Sequence, residues 1–431
     1  MTSVWFSPAP SEITVSRISL DFDLRAADLF FRELVVPGLG RIWFARQLSW
    51  PLAALALHEE LANHGPNAPK PTAICHGIEA LACKLQYVAN PDQDTRSRRI
   101  LGSRAFGRDE NSEVWTFQQL HQRRNYVQNT HRQAATRAIN VERGLGFARG
   151  SRFDLLELEP VGRDLANAFL DQHVGQGGTT LRRWLVGWLN SDKTPPDSRD
   201  SFLRALSPEH PTQDERESVR ARLLDANTQN TKEAKEKRQR LAHAVGRAAK
   251  MRDIERDIVI RLREAGHSEQ ANQVIAARAF GAVLDRARDV IVVLTSDRLG
   301  IARRPESVSV LVKDRKLGSA IGDLRAATKN YVDKAKTAKV NEPTSRAFAD
   351  AVVAADDGAA IRLMVRRAGE VLGLADGSVG RGPLFRVVDG IDDATDLADG
   401  AASIEPDRTG RTFRIANFHS LLRDVDPPGA R

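Results

Sequence analysis

Apolar residues recur at steps of three and four along most of this chain, the spacing of helices that bury one face. Leu24, Ala27, Phe30 or Phe31 and Leu34 share one side of a segment that Pro37-Gly38-Leu39-Gly40 ends. A more apolar helix is expected from Ile42 to about Ala62, burying Trp43, Phe44, Leu48, Leu52 and Leu55 or Leu57. The proline-containing stretch Asn63 to Pro71 reads as a loop, and Pro71 opens a helix that carries Cys75 and Cys83 to about Tyr87. Together these predict an N-terminal helical domain over residues 1–95.

A second segment, 96–172, mixes two periods. Val114 to Ile139 keeps helical spacing through Val114, Phe117, Leu120, Tyr126 or Val127, Ala134 or Ala135 and Ala138, as one helix or as two broken near Asn125. Gly144-Leu145-Gly146-Phe147 is a turn, and Arg152 to Leu158 reads as a strand after a tight tip at Arg149-Gly150-Ser151. Pro160 then starts a helix with Leu165, Ala166 and Phe169 inside. Residues 173–211 hold a helix with Trp184, Leu185, Trp188 and Leu189, followed by a stretch from Ser191 to Pro211 whose four prolines suggest a linker. Residues 212–431 are expected to form a charged helical domain, with a stripe of Leu241, Val245, Ala248, Met251, Ile254, Ile258 and Leu262. Near 372–412 a small β element or loop-rich insert interrupts the helical pattern, and its acidic part, 388–407, reads as a surface loop. The chain closes on a short amphipathic helix, Phe413 to Arg423.

Composition narrows the class. With 431 residues, 41% hydrophobic and 28% charged, the chain is long enough for several domains with real cores. Two cysteines, Cys75 and Cys83, are too few for a disulfide framework or a structural zinc site. A reducing, cytoplasmic location is expected. Met1 to Trp5 lacks the basic and apolar regions of a signal peptide, and no apolar run approaches the roughly 20 residues of a membrane helix.

Charge changes the picture more. Between Arg96 and Arg152 there are 12 arginines against 4 acidic residues, an excess of +8 that equals the formal charge of the whole chain. Such an excess on one small module calls for an anionic partner, most commonly a nucleic-acid backbone. The preference for arginine over lysine is explained as well by a GC-rich genome and carries no weight here. Lys232 to Arg263 is also basic, 11 against 5, and reads as a solvated helix face.

Reaction chemistry is not visible. The glycine clusters lack the Gly-Lys-Ser/Thr ending of a phosphate-binding loop, and His-Glu-x-x-His, Gly-x-Ser-x-Gly and paired Cys-x-x-Cys motifs are absent. No catalytic residue, metal ligand or cofactor is therefore expected. The candidate site lies in the basic module: on a helix through Arg123, the side chains of Arg124, Gln128, His131 and Arg132 share a face that can reach phosphates and base edges. Arg149 and Arg152 flank Gly150-Ser151 as a backbone-gripping tip would require.

The order of long helix, basic-tipped hairpin and closing helix resembles a winged-helix module, above all in the run from Arg152 to Phe169. That resemblance implies a recognition helix in the major groove and a wing on the backbone. The fold class expected is mainly α and multi-domain, with one small winged-helix-like α+β module. The chain also resembles uncharacterised bacterial helical proteins of anti-phage defence islands, through Phe31-Arg-Glu-Leu-Val-Val-Pro-Gly38 and the aromatic helix after it, the Arg152 to Phe169 run, and Phe413 to Val425. That similarity implies an accessory subunit beside a helicase or nuclease on double-stranded DNA. Two alternatives stand: a transcription regulator binding DNA as a dimer, and a metal-dependent nuclease using acids of the C-terminal helices. Length and the additional helical segments favour the first reading, since simple regulators are shorter.

Overall fold

The computed structural model describes residues 22–89, 101, 103–106, 114–122, 125–127, 130–174, 178–191, 194–195, 200–224, 232–245, 254–296, 299, 301, 304–369, 371–382 and 414–426. In chain order the elements begin with α1 (Arg25–Val35), α2 (Arg46–His64), α3 (Pro71–Ala89), α4 (Ser103–Phe106), α5 (Phe117–Leu120) and α6 (His131–Ile139). The strands β1 (Ala148–Arg149) and β2 (Glu157–Leu158) follow, then α7 (Pro160–Leu170), α8 (Leu181–Asn190), α9 (Asp200–Leu206), α10 (Gln213–Leu224), α11 (Lys232–Val245), α12 (Ile254–Glu264) and α13 (Ser268–Leu294). The last part holds β3 (Glu306–Ser307), α14 (Val308–Leu311), α15 (Arg315–Thr337), α16 (Pro343–Ala354), α17 (Asp357–Arg367), β4 (Leu372–Ala375), β5 (Ser378–Arg381) and α18 (Ile415–Val425). The protein is mainly α, with two small sheets among the described residues. No described helix is long and apolar enough to cross a membrane.

The described residues form two compact units. The larger draws on 29–278, 334–340 and 409–431, the smaller on 1–28, 279–333 and 341–408. This division differs from the four consecutive segments expected. Residues 63–71 and the described part of 191–211 lie inside the larger unit, and α18 returns to it from the C-terminal region.

The larger unit is organised around α2, which packs on α3, α6 and α7. Trp50, Leu52, Ala53, Ala54 and Leu57 are all fully buried, because a helix enclosed on several sides must be apolar nearly all round. Its turn-rich end is polar and buried too: Arg46, Gln47 and Ser49 are at most 1% exposed, and each has a partner. The described members of the expected stripe in α11 and α12, Leu241, Val245, Ile258 and Leu262, are buried. Arg238 departs from the solvated face expected there. It is fully buried, donating to the carbonyl oxygens of Leu223 (2.9 Å) and Pro37 (3.2 Å), and burial pulls its pKa down to about 10.

The expected linker 191–211 is also corrected. Its second half folds as α9, which packs on α3 and buries Phe202, Ala205 and Leu206. The apolar pair Phe202 and Leu206, one helical turn apart, is the local signal that the prolines mask.

The smaller unit has helices around an antiparallel sheet of order β3-β5-β4. Asp376 (φ 50°) and Gly377 (φ 73°) join β4 to β5 as a two-residue hairpin turn, which needs positive φ at both positions and so favours Asp-Gly. This sheet answers to the expected β element. The acidic stretch 388–407 lies outside the described residues. Phe280, Tyr331 and Phe348 are buried in this unit, with the Tyr331 hydroxyl 2.6 Å from Ser345 Oγ.

Candidate nucleic-acid interface

The basic module is built upward from α3. Glu79 is completely buried, and its carboxylate accepts the backbone N–H groups of His131 (2.8 Å) and Arg132. It thus caps α6 from a separate helix, in place of Thr130, whose side chain makes no capping bond. An acidic group at a helix N-terminus meets the positive end of the helix dipole and satisfies donors that the helix cannot. Burial nevertheless dominates and pushes the Glu79 carboxyl up to about 8, against the lowering effect of those hydrogen bonds. Cys75 Sγ donates to the same carboxylate at 3.4 Å. The local signal for Glu79 is a single acid in a largely apolar run from Ile74 to Leu85, and sequence reasoning passed over it.

His131 faces inward. It is 6% exposed, with Nδ1 3.2 Å from Gln47 Nε2 and its ring 5.6 Å from that of Trp50. Gln47 Oε1 already accepts the Trp43 and Phe44 amides, so the Gln47 NH₂ group donates to His131 Nδ1 and the imidazole proton sits on Nε2. Burial lowers the pKa of this ring to about 4, which keeps it neutral. The groove-facing position expected for His131 is therefore corrected: its side belongs to the core against α2. The reason is the phase of α6, which starts at His131 instead of continuing from Arg123. Arg123, Arg124 and Gln128 lie outside the described residues.

Arg132 is half-buried with its guanidinium 5.1 Å from the centre of the Phe153 ring. Arg137 pairs with Glu33 at 3.0 Å, and Arg414 shares that carboxylate. Two of the module's arginines are thus engaged in holding α6 to its neighbours.

The hairpin follows. Phe147 N donates to Ile139 O, Ala148 pairs with Leu158, and Arg149 pairs with Glu157. The strand expected from Arg152 to Leu158 is confined to Glu157–Leu158, and Phe153–Leu155 is a 3₁₀ turn. Phe153 and Leu156 are buried while Asp154 and Leu155 are exposed, a spacing of three that suits the 3₁₀ turn and breaks the alternation of a strand. Asp154 ties this turn to α3, accepting from Thr72 N at 2.7 Å. Helix α6, the hairpin and α7 follow one another, but α6 has nine residues where a long helix was expected, and each strand has two.

Three exposed arginines remain at this end. Arg149 is 60% exposed and pairs with Glu159 at 3.0 Å. Arg152 and Arg143 are exposed, and among the described residues their side chains have no partner. Arg143 was not singled out by the sequence, where it is one arginine among many.

A close approach locks the hairpin to α7. A Cβ on Gly162 would sit 1.9 Å from the carbonyl oxygen of Phe147, so the helix can lie here only because Gly162 has no side chain. Gly162→Ala is expected to lower stability by roughly 1–3 kcal/mol through overpacking against backbone. The urea midpoint reads this directly, and an unchanged midpoint would mean that α7 does not lie on the hairpin in this way.

Both cysteines are free and buried. Among the described residues no group of three or more His, Cys, Asp or Glu side chains is placed to hold a metal ion. No family model matches the chain, and no curated protein or solved structure is significantly similar to it.

Proposed function

We propose that this chain is a non-catalytic DNA-binding accessory subunit that docks on duplex backbone through its arginine-rich module. The observation that carries the proposal is the +8 excess between Arg96 and Arg152, a segment whose hairpin exposes Arg143, Arg149 and Arg152 within ten residues. Guanidinium groups on a hairpin suit phosphate oxygens, which position a protein without reading sequence. Arg123, Arg124 and Gln128 join the proposed surface on the sequence alone. His131 and Arg132 support it from behind: the first packs against α2, and the second stacks on Phe153 and so stiffens the turn that carries Arg152. On the resemblance of the sequence to defence-island proteins, the proposed setting of such a subunit is a bacterial anti-phage assembly, beside a helicase or nuclease.

The test is fluorescence anisotropy of the protein on a labelled duplex of about 30 base pairs across a salt series. Log affinity should fall linearly with log salt. Arg143→Ala and Arg152→Ala should each weaken binding uniformly across sequences and reduce the slope by about one. Equal slopes in wild type and both variants would remove the hairpin from the interface. One observation favours a second reading, in which the module docks on a protein. Leu155 stands 66% exposed at the hairpin turn, an apolar group that duplex backbone does not reward. Absence of duplex binding at low salt would select that reading.

A further inference from the structure

An open cleft of about 560 Å³ lies in the larger unit, between the end of α7, α9 and the start of α10, with His173, Asp200, Arg204 and His210 exposed at its walls. We propose that it binds a small phosphate-bearing molecule, a sugar phosphate or mononucleotide. Its walls include His173, Asp200, Arg204, His210, Thr212 and Arg216.

Three features point to such a ligand. The first is charge. Two guanidinium groups and two imidazoles converge on one cavity against a single lining carboxylate, Asp200. Among the described residues the exposed Arg204 guanidinium and the exposed His210 ring have no partner, and Arg216, whose charge acts on the Asp424 carboxylate, keeps its Nε buried without a hydrogen bond. A buried donor without an acceptor is costly, and an anionic oxygen would satisfy it.

The second is rigidity. Behind the cavity the fully buried Arg46 donates to the carbonyl oxygens of Arg204 (2.9 Å), Ala205 (2.8 Å) and Ser207 (3.2 Å) and to Gln172 Oε1 (3.1 Å). Gln172 Nε2 is spent on Phe169 O at 2.8 Å, and Thr212 N on Glu215 at 2.7 Å. The backbone that presents Arg204 and His210 is therefore fixed before any ligand arrives, which is how small-molecule sites gain affinity.

The third is size. The volume lies within the range of roughly 300–1,000 Å³ for small-molecule sites and far exceeds a lone phosphate. The phosphate would take the two arginines. Asp200 supplies an acceptor for a sugar diol, and the flat faces of His173 and His210 can flank a ring.

The experiment is isothermal titration calorimetry of the full chain with inorganic phosphate, ribose 5-phosphate, AMP and adenosine. Saturable binding of ribose 5-phosphate or AMP is expected, with weaker binding of inorganic phosphate and none of adenosine. Arg204→Ala and Arg216→Ala should each weaken it by at least about tenfold, the worth of one charge-assisted hydrogen bond. Unchanged thermal melting of each variant without ligand shows that its fold persists; where Arg216→Ala melts early, Arg204→Lys and His210→Ala replace it, and both should bind more weakly. Failure of all four ligands to bind at millimolar concentration would overturn the proposal. So would equal affinity in wild type and variants, or binding of a 5′-phosphorylated oligonucleotide while AMP does not bind, which would make the cavity a strand-end site. Because the hairpin arginines are not involved, duplex affinity in Arg204→Ala should match wild type, which separates this result from the test of the module.

Discussion

Arg46→Ala is expected to cost the larger unit about 3–5 kcal/mol, the typical penalty for removing one partner of a buried ion pair. Both Arg46 and Glu215 are fully buried, and they meet at 2.6 Å across 169 residues of sequence. The pair is also the centre of a network. The Arg46 guanidinium holds three backbone carbonyls at the C-terminal end of α9, while Glu215 accepts from Ser49 Oγ (2.7 Å) and Thr212 N (2.7 Å). Truncation would leave the buried Glu215 carboxylate without its countercharge and the carbonyls of Arg204 and Ala205 without the guanidinium donor, and each such group carries its own desolvation cost. Arg46→Lys should fail to restore most of the loss, because one ammonium with three donors cannot replace a planar fork bonded on both edges. Urea unfolding followed by circular dichroism measures both variants. A loss below about 1 kcal/mol for Arg46→Ala would mean that water reaches Glu215 and that the network is not enclosed.

This pair also marks where the sequence stops being legible. Local patterns located most helices: Pro71 and Pro160 open α3 and α7 as their fixed φ and missing N–H predict, and Trp184 and Trp188 are buried one turn apart in α8. The hairpin after β4 follows from Asp-Gly chemistry alone. What a linear pattern cannot contain is which distant groups satisfy one another. Arg46 and Glu79 look like a surface cation and a surface acid until Glu215 and the amide groups of α6 are brought to them. The same limit governed the candidate site. The helical period correctly suggested that residues 131–139 are helical, but the start of α6 sets which side His131 faces, and that start is fixed by Glu79, 52 residues earlier. Leu155 and Phe153 were misread for a related reason. A run of alternating residue types looks like a strand, while the tie from Asp154 to α3 bends it into a 3₁₀ turn.

Between pH 6.5 and 8 the wild-type protein is expected to lose about 1.5–2 kcal/mol of stability relative to Glu79→Gln. Glu79 has its carboxyl raised from 4.5 to about 8 in the folded chain, so the native state binds the proton more tightly than the unfolded one. Stability from this group is present in full below about pH 4.5 and is lost as pH rises towards 8, at about 1.4 kcal/mol per unit. Other buried groups act in the lower part of that window. His131, lowered from 6.5 to about 4, adds stability as pH rises through it, while Asp424, raised from 3.8 to about 6, removes it. His419, also lowered by burial, works in the direction of His131. The unfolded histidines titrate around their ordinary 6.5, so their opposing gain continues above that pH in wild type and in Glu79→Gln alike, and the difference between the two proteins isolates Glu79. Higher still, burial raises Cys75, Cys83 and Tyr126, whose effects begin beyond pH 8, so the measurement should stop there. Glutamine keeps an oxygen for the amides of His131 and Arg132 but cannot ionise, so α6 stays capped at every pH. Urea midpoints at pH 6.5, 7.25 and 8 for both proteins decide the matter. A wild-type profile parallel to that of Glu79→Gln would mean that the two amides and the helix dipole keep Glu79 ionised at neutral pH despite its burial. In that case α6 and the hairpin beyond it would be held by a charge throughout the physiological range, rather than by a group that gains its charge within it.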